Sequence, residues 1–108
     1  MRRYTTPTMA LVINKPELMD ATALFVTFKQ GSNVLTIDDN ITVTATDTGV
    51  QLEVELTQLQ TAGFNPGNAQ IQVNWLETDG KRGATEVASV SITDNLLNSV
   101  LPYPVPEA

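Results

Sequence analysis

Ile41-Thr42-Val43-Thr44-Ala45-Thr46, then Asp47-Thr48-Gly49, then Val50-Gln51-Leu52-Glu53-Val54-Glu55-Leu56 is the stretch that decides the fold. Apolar residues hold the odd positions of the first run and the even positions of the second, with Thr, Gln and Glu between them. Successive side chains of a strand point to opposite faces, so each run reads as a strand with one buried and one wet face. The phase reverses across Asp47-Thr48-Gly49, whose residue types suit a tight chain reversal.

The same pattern continues towards the N-terminus. Thr8 to Asn14 places Met9, Leu11 and Ile13 on one face before Pro16 breaks the ladder. Ala23 to Gln30 alternates again, with Leu24, Val26 and Phe28 inward and Phe25 and Thr27 on the other face. Gln30-Gly31-Ser32-Asn33 predicts a hairpin turn into Val34–Ile37, and Asp38-Asp39-Asn40 a second turn. Towards the C-terminus, Thr57 with Gln60 has the form of a capping box, predicting one helical turn with Leu59 and Ala62 against the core and Gly63 at its end. Asn65-Pro66-Gly67-Asn68 is a turn, followed by a strand from Ala69 to Glu77 with Ile71, Val73 and Trp75 inward. Asp79-Gly80 predicts a tight hairpin to one return strand, Ala84 to Thr93, with Ala84, Ala88, Val90 and Ile92 inward. Asp94 is expected to cap a short helix reaching Val100 or Leu101, before the extended run Pro102-Tyr103-Pro104-Val105-Pro106.

Seven strands with hairpin turns, and one helical turn before the penultimate strand, predict an all-β fold: an Ig-like antiparallel β-sandwich closed by a short C-terminal helix or extended tail. The expected organisation is a basic N-terminal arm at 1–8, the sandwich at 9–101 and a Pro-rich tail at 102–108. Thr, Val and Ile supply 15, 11 and 5 of the 108 residues, and such β-branched side chains suit a pleated, half-buried surface. A chain of this length can bury one core without staples.

The absence of both His and Cys removes Ser–His–Asp and Cys–His catalysis, imidazole and thiolate metal sites, and disulfides. No enzyme activity, cofactor or metal site is therefore expected. Asp38-Asp39 and the strand pair Glu53 and Glu55 read as turn chemistry and a solvated face, since no calcium-loop spacing accompanies them. The glycines sit at turns and form no phosphate-binding motif. Net charge is −6, and Arg2 and Arg3 contribute +2 of it, leaving −8 on residues 9–108. Such a balance argues against nucleic acid as a partner. No apolar run has the length of a membrane span and no signal peptide is evident, so the expected site of synthesis is the cytoplasm, with no membrane partner.

The expected interaction residues are the arm Arg2, Arg3 and Tyr4, the outward aromatic Phe25, the hairpin cations Lys81 and Arg82, and the tail residues Leu101, Tyr103 and Val105. Arg and Tyr are enriched where proteins meet, and the arm is complementary to an acidic neighbour, another copy of the chain included. On that reading, removing residues 1–8 lowers assembly without lowering the melting temperature. Trp75 shares its phase with Ile71 and Val73 and reads as core. An exposed aromatic together with Gln70, Gln72 and Asn74 gives the alternative, a glycan-binding module of a phage or bacterial surface protein.

Several stretches together carry a resemblance: Arg2-Arg3-Tyr4-Thr5-Thr6-Pro7-Thr8, Phe25-Val26-Thr27-Phe28-Lys29-Gln30-Gly31, Gln70-Ile71-Gln72-Val73-Asn74-Trp75 and Asp79-Gly80-Lys81-Arg82-Gly83-Ala84-Thr85-Glu86. In these the chain resembles small proteins encoded in phages and prophages of Gram-positive bacteria, and its core pattern looks like the Ig-like N-terminal domain of the phage baseplate upper protein. The resemblance spans about residues 2–101. It implies a non-enzymatic virion structural or assembly protein, in baseplate, tail or head accessory, whose partners are other virion proteins or further copies of itself. Such a protein would be made in the bacterial cytoplasm and incorporated in the virion.

Overall fold

In the computed structural model, residues 1–96 are described. The short helix expected from Asp94 to Val100 or Leu101 does not begin at Asn95 or Leu96, neither of which is helical; the rest of it, and the tail with Leu101, Tyr103 and Val105, lies outside the described residues. Among the described residues, eight strands form two antiparallel sheets: β1 (Thr8–Ile13), β2 (Ala23–Gln30), β3 (Asn33–Ile37), β4 (Ile41–Ala45), β5 (Val50–Glu55), β6 (Gly67–Leu76), β7 (Arg82–Ala84) and β8 (Ala88–Ile92). A three-stranded sheet has the order β1-β5-β4. The other, five-stranded, runs β3-β2-β6, and β6 then pairs with both β7 and β8. A 3-10 turn (Pro16–Asp20) follows β1, and one helical turn, α1 (Gln58–Ala62), joins β5 to β6.

The two sheets bury one continuous core between them, an all-β sandwich. Val26 and Phe28 from β2, Val50, Leu52 and Val54 from β5, and Ile71, Val73 and Trp75 from β6 are all buried. Each belongs to the alternating set, and Met9, Leu11, Leu24, Ile41, Val43 and Val90 pack around them half-buried. Leu18 from the 3-10 turn, Ile37 from the end of β3, and Phe64 just after α1 complete the core. The Phe64 ring meets Phe28 edge-on, with centroids 6.0 Å apart.

The return strand departs from expectation. Instead of one strand over 84–93 there are two, so α1 precedes the antepenultimate strand, and the cause is a bulge. Asn74 pairs with Ala84, but Ile71 pairs with Ala88, so Gln72 and Val73 face three residues, 85–87. The extra residue reverses the side-chain phase. Ala84 therefore shares the outer face with Asn74 and is exposed, whereas Val90 and Ile92 keep their inward direction. Ala88, opposite the inward Ile71, is also exposed. Thr85 stitches the bulge: its N–H donates to the Val73 carbonyl at 2.9 Å, and its hydroxyl accepts the Val73 N–H at 3.1 Å.

The capping box forms as expected. Thr57 Oγ1 accepts from the Gln60 N–H at 3.2 Å, and the Thr57 N–H donates to Gln60 Oε1 at 2.8 Å. Its register nevertheless turns Leu59 outward, 72% exposed, because Thr61, two residues on and thus on the opposite side of the turn, takes the core-facing position. Two glycines are fixed by their neighbours. A Cβ on Gly49 would lie 2.1 Å from the Ile13 carbonyl oxygen, and one on Gly83 would lie 2.3 Å from the Trp75 indole that covers it.

Candidate protein-contact surfaces

The outward face of the five-stranded sheet follows from strand phase: whatever alternates with the core residues must face solvent. Phe25 and Thr27 on β2, Thr36 on β3, and Asn74 and Leu76 on β6 share it, and Arg82 on β7 closes one side. These residues border a depression of about 390 Å³. The Arg82 guanidinium is held flat, its Nε and Nη2 donating to Asn74 Oδ1 at 3.3 and 3.0 Å. Thr27 and Thr36 share a hydroxyl–hydroxyl hydrogen bond of 3.1 Å across the strands. Leu76 is 40% exposed beside them. The result is an apolar floor with one fixed cation and several amide and hydroxyl groups, a composition suited to a protein partner.

Two of the residues singled out from sequence, Phe25 and Arg82, therefore meet in one place. Lys81 stands next to it at the hairpin tip, its N–H donating to Asp79 Oδ1 at 3.0 Å and its ammonium 3.9 Å from Asp79 Oδ2. The glycan alternative loses its largest platform, because Trp75 is only 4% exposed and its ring lies against Gly83 inside the sandwich. Gln72 and Asn74 are also engaged, Gln72 Nε2 donating to the Thr85 carbonyl at 2.8 Å and Asn74 accepting from Arg82.

Arg2, Arg3 and Tyr4 lie at the opposite end of β6, beside the strand pairs at Gly67 and Asn68, one ten-residue strand or roughly 30 Å from Arg82. They are seated on their own chain. Met1 to Arg3 run parallel to β8 and its extension: the Met1 amino group donates to the Ser91 carbonyl, the Thr93 N–H to the Met1 carbonyl at 2.8 Å, and the Arg3 N–H to the Thr93 carbonyl at 2.9 Å. Arg2 Nη1 donates to the Asp94 carbonyl at 2.7 Å. The Arg3 guanidinium, 16% exposed, pairs with Asp94 Oδ1 at 2.9 Å and donates to the Ala62 carbonyl at 3.1 Å. Asp94 is held below its ordinary pKa, first by the Asn95 backbone N–H and then by Arg3. The Arg3 cation also lies 5.2 Å from the centroid of the Tyr4 ring.

Tyr4 turns the chain from one sheet towards the other with φ at +61°, a left-handed conformation that costs a bulky residue about 1–2 kcal/mol. The next residue is clasped: the Thr5 N–H donates to Thr61 Oγ1 at 3.1 Å, and Thr61 Oγ1 donates back to the Thr5 carbonyl at 2.9 Å. This geometry reverses the expectation that truncation of residues 1–8 spares the melting temperature. The arm supplies hydrogen bonds to β8, α1 and Asp94, so its removal is expected to destabilise the domain.

Thr61 is the residue that sequence reasoning missed here. It is the buried polar side chain of the described chain, at 0% exposure, and a Thr following Leu59 and Gln60 carries no local mark of that role. A second omission is apolar: Val34 and Leu59 are 60% and 72% exposed, and with Leu35 and Phe64 they border a groove between the β2–β3 hairpin and α1. On the outer face of the three-stranded sheet, Glu53 stands between Ala10 and Thr42, and Glu55 stands opposite Thr8. Among the described residues no three carboxylates are gathered as a metal group would require, and no helix is long and apolar enough to cross a membrane. No family model matches the sequence, and no curated protein matches it.

Proposed function

We propose that this chain is a non-enzymatic structural or assembly protein of a phage or prophage virion, acting through protein–protein contacts in baseplate, tail or head accessory. The observation that carries the reading is the depression on the five-stranded sheet, where Phe25, Leu76 and the Asn74-held Arg82 form an apolar floor with a fixed cation at its rim. A rigid sheet presents such a patch without ordering cost, since its backbone is already fixed by the β2–β6 and β6–β7 ladders. The resemblance of residues 2–101 to small phage and prophage Ig-like proteins gives the patch its context, and an Ig-like strand plan belongs to the same reading. Burial of Trp75 favours protein contact over sugar stacking.

The test is made on particles purified after induction of the strain carrying the gene. Mass spectrometry of salt-washed particles is expected to find the protein at a fixed copy number relative to the other particle proteins. A Phe25→Ala/Arg82→Glu variant, with unchanged Trp75 fluorescence, is expected to be lost from particles while still present in the lysate. Abundant protein in the lysate and none in the particles would overturn the proposal.

A further inference from the structure

Strand phase sorts the charges of the sandwich onto opposite outer faces. On the three-stranded sheet, the residues that alternate with Leu11, Val43, Leu52 and Val54 include Glu53 and Glu55 and, among the described strand residues, no cation. On the five-stranded sheet, the outward strand residues include Lys29, opposite Gln70, and Arg82, opposite Leu76, and among the described residues no carboxylate. Both cations are exposed. The arm cations do not alter the contrast, since Arg2 and Arg3 are engaged by Asp94 and Ala62 of their own chain. A plate with one anionic and one cationic face is complementary to a copy of itself laid front to back, whereas like faces repel.

The apolar groups on the two faces match in the same arrangement. Val12 is 66% exposed on the acidic face. It stands opposite Gln51, one strand over and two residues along from Glu53, a separation of roughly 8 Å. On the other face the Arg82 guanidinium lies on Asn74, which is directly across the ladder from Phe25. An isopropyl group and a carboxylate on one copy therefore face an aromatic floor and a guanidinium on the next. Recesses also meet projections: Val12 has the Phe25–Leu76 depression to enter, and Thr8, Thr42, Glu53 and Glu55 border a shallow dish of about 310 Å³ for the guanidinium.

We propose that the occupant of the Phe25–Arg82 depression is the acidic outer face of a second copy of this chain, with Val12 on Phe25 and Leu76 and Glu53 at Arg82. This rests on reading the depression as a protein-contact surface, and it names the partner. The contact is heterologous: each copy keeps one face of either kind, so it repeats into a ring or a filament. Three strands of six residues or fewer give a face of roughly 14 by 20 Å, well below the ~800 Å² per partner of a stable pair. Copies are therefore monomeric at micromolar concentration and associate at about 0.1–1 mM, the regime of an assembly in which neighbours are held close.

NMR spectra of the full chain in low salt, recorded from about 20 μM to 1 mM, test the proposal. The Val12 methyl signals and the Phe25 and Arg82 amides are expected to move together with concentration, while the buried Leu52 stays still. Arg82→Glu alone and Glu53→Arg/Glu55→Arg alone are each expected to weaken association at least tenfold. The chain carrying all three substitutions is expected to regain it, which a folding defect would not permit. Spectra independent of concentration would overturn the proposal. So would movement of one face without the other, or association that persists in the Glu53→Arg/Glu55→Arg variant. Copies that stay apart while the Phe25→Ala/Arg82→Glu variant is lost from particles would overturn this inference alone, leaving the depression to a different particle protein.

Discussion

Replacing Thr61 by Val keeps the shape of the side chain and removes only the hydroxyl, which clasps the N-terminal segment to α1 and also lies 3.2 Å from the Gln58 carbonyl. That hydroxyl is fully buried, accepts from the Thr5 N–H at 3.1 Å and donates to the Thr5 carbonyl at 2.9 Å. Each hydrogen bond is worth about 1 kcal/mol net, and the part-buried Thr5 N–H left without an acceptor adds a further penalty, so Thr61→Val is expected to cost about 2–3 kcal/mol. In a domain of this size that is a fall in melting temperature of roughly 10 °C or more. Urea unfolding followed by Trp75 fluorescence reads the change, with Thr61→Ser, which keeps the oxygen and loses one methyl, as the control at about 1 kcal/mol. The cycle is completed in a chain lacking residues 1–6, where the Thr5 groups are gone and the penalty for Val should shrink below about 0.5 kcal/mol. If Val costs the same with and without the arm, or less than about 0.5 kcal/mol in the full chain, the hydroxyl is not what holds the arm.

Gly83→Ala places a Cβ at 2.3 Å from the Trp75 ring, and moving a buried indole is expected to cost about 1–3 kcal/mol, with a red shift of the emission that reports the displaced ring. Gly49→Ala meets backbone instead, 2.1 Å from the Ile13 carbonyl oxygen and 2.7 Å from the Lys15 nitrogen, so calorimetry is expected to show the larger loss of the two. Thr85→Val removes the acceptor of the Val73 N–H at the bulge, at about 1–2 kcal/mol, whereas Thr85→Ser is expected to leave amide exchange at Val73 unchanged. Asp94 is depressed by the Asn95 N–H and Arg3, so its contribution is complete above the ordinary Asp value of about 3.9 and is lost as pH falls through the lower folded value. NMR shifts of Arg3 are therefore expected to stay constant from neutral pH to about 4 and to change only below it, and Asp94→Asn is expected to abolish that step.

How far the fold could be read from sequence followed the alternation. Ile41 and Val43, Val50 to Leu56, and Ile71 to Trp75 lie where period two puts them, because a strand with one buried face leaves no other arrangement. Of the core residues outside the expected set, Leu18, Ile37 and Phe64 sit in a 3-10 turn, at a strand end and after α1, where no period marks them, whereas Ala69 shares the phase of Ile71 and Val73 but is too small to stand out. The bulge escaped for a related reason. Ala84, Ala88, Val90 and Ile92 all fall on even positions with one charged residue, Glu86, among them, and the inserted residue at 85–87 appears only once pairing partners are known. At the candidate surface, Phe25 was legible by phase, but its meeting with Arg82 depends on β7 pairing with β6, a contact between residues 74 and 84 that fixes which side of the sheet the guanidinium takes. The seat of the arm was not legible at all, since it rests on Thr61 and Asp94, two polar residues distant in sequence from Arg3 and Thr5.

Met1 to Arg3 lie parallel to Ser91–Thr93, and that arrangement sets how the domain would carry tension. A pull applied between residue 1 and residue 96 drags the two segments past each other along their length. The Met1–Ser91, Met1–Thr93 and Arg3–Thr93 bonds are then loaded together and must break together. A hairpin such as β2–β3, drawn apart from its open end, would instead release its bonds one at a time. Resistance to such a pull is governed by the rate of crossing a single concerted barrier. A three-residue segment thereby makes the domain a shear-loaded fastener, with Arg3, Asp94 and Thr61 as the pins that keep the segment in line.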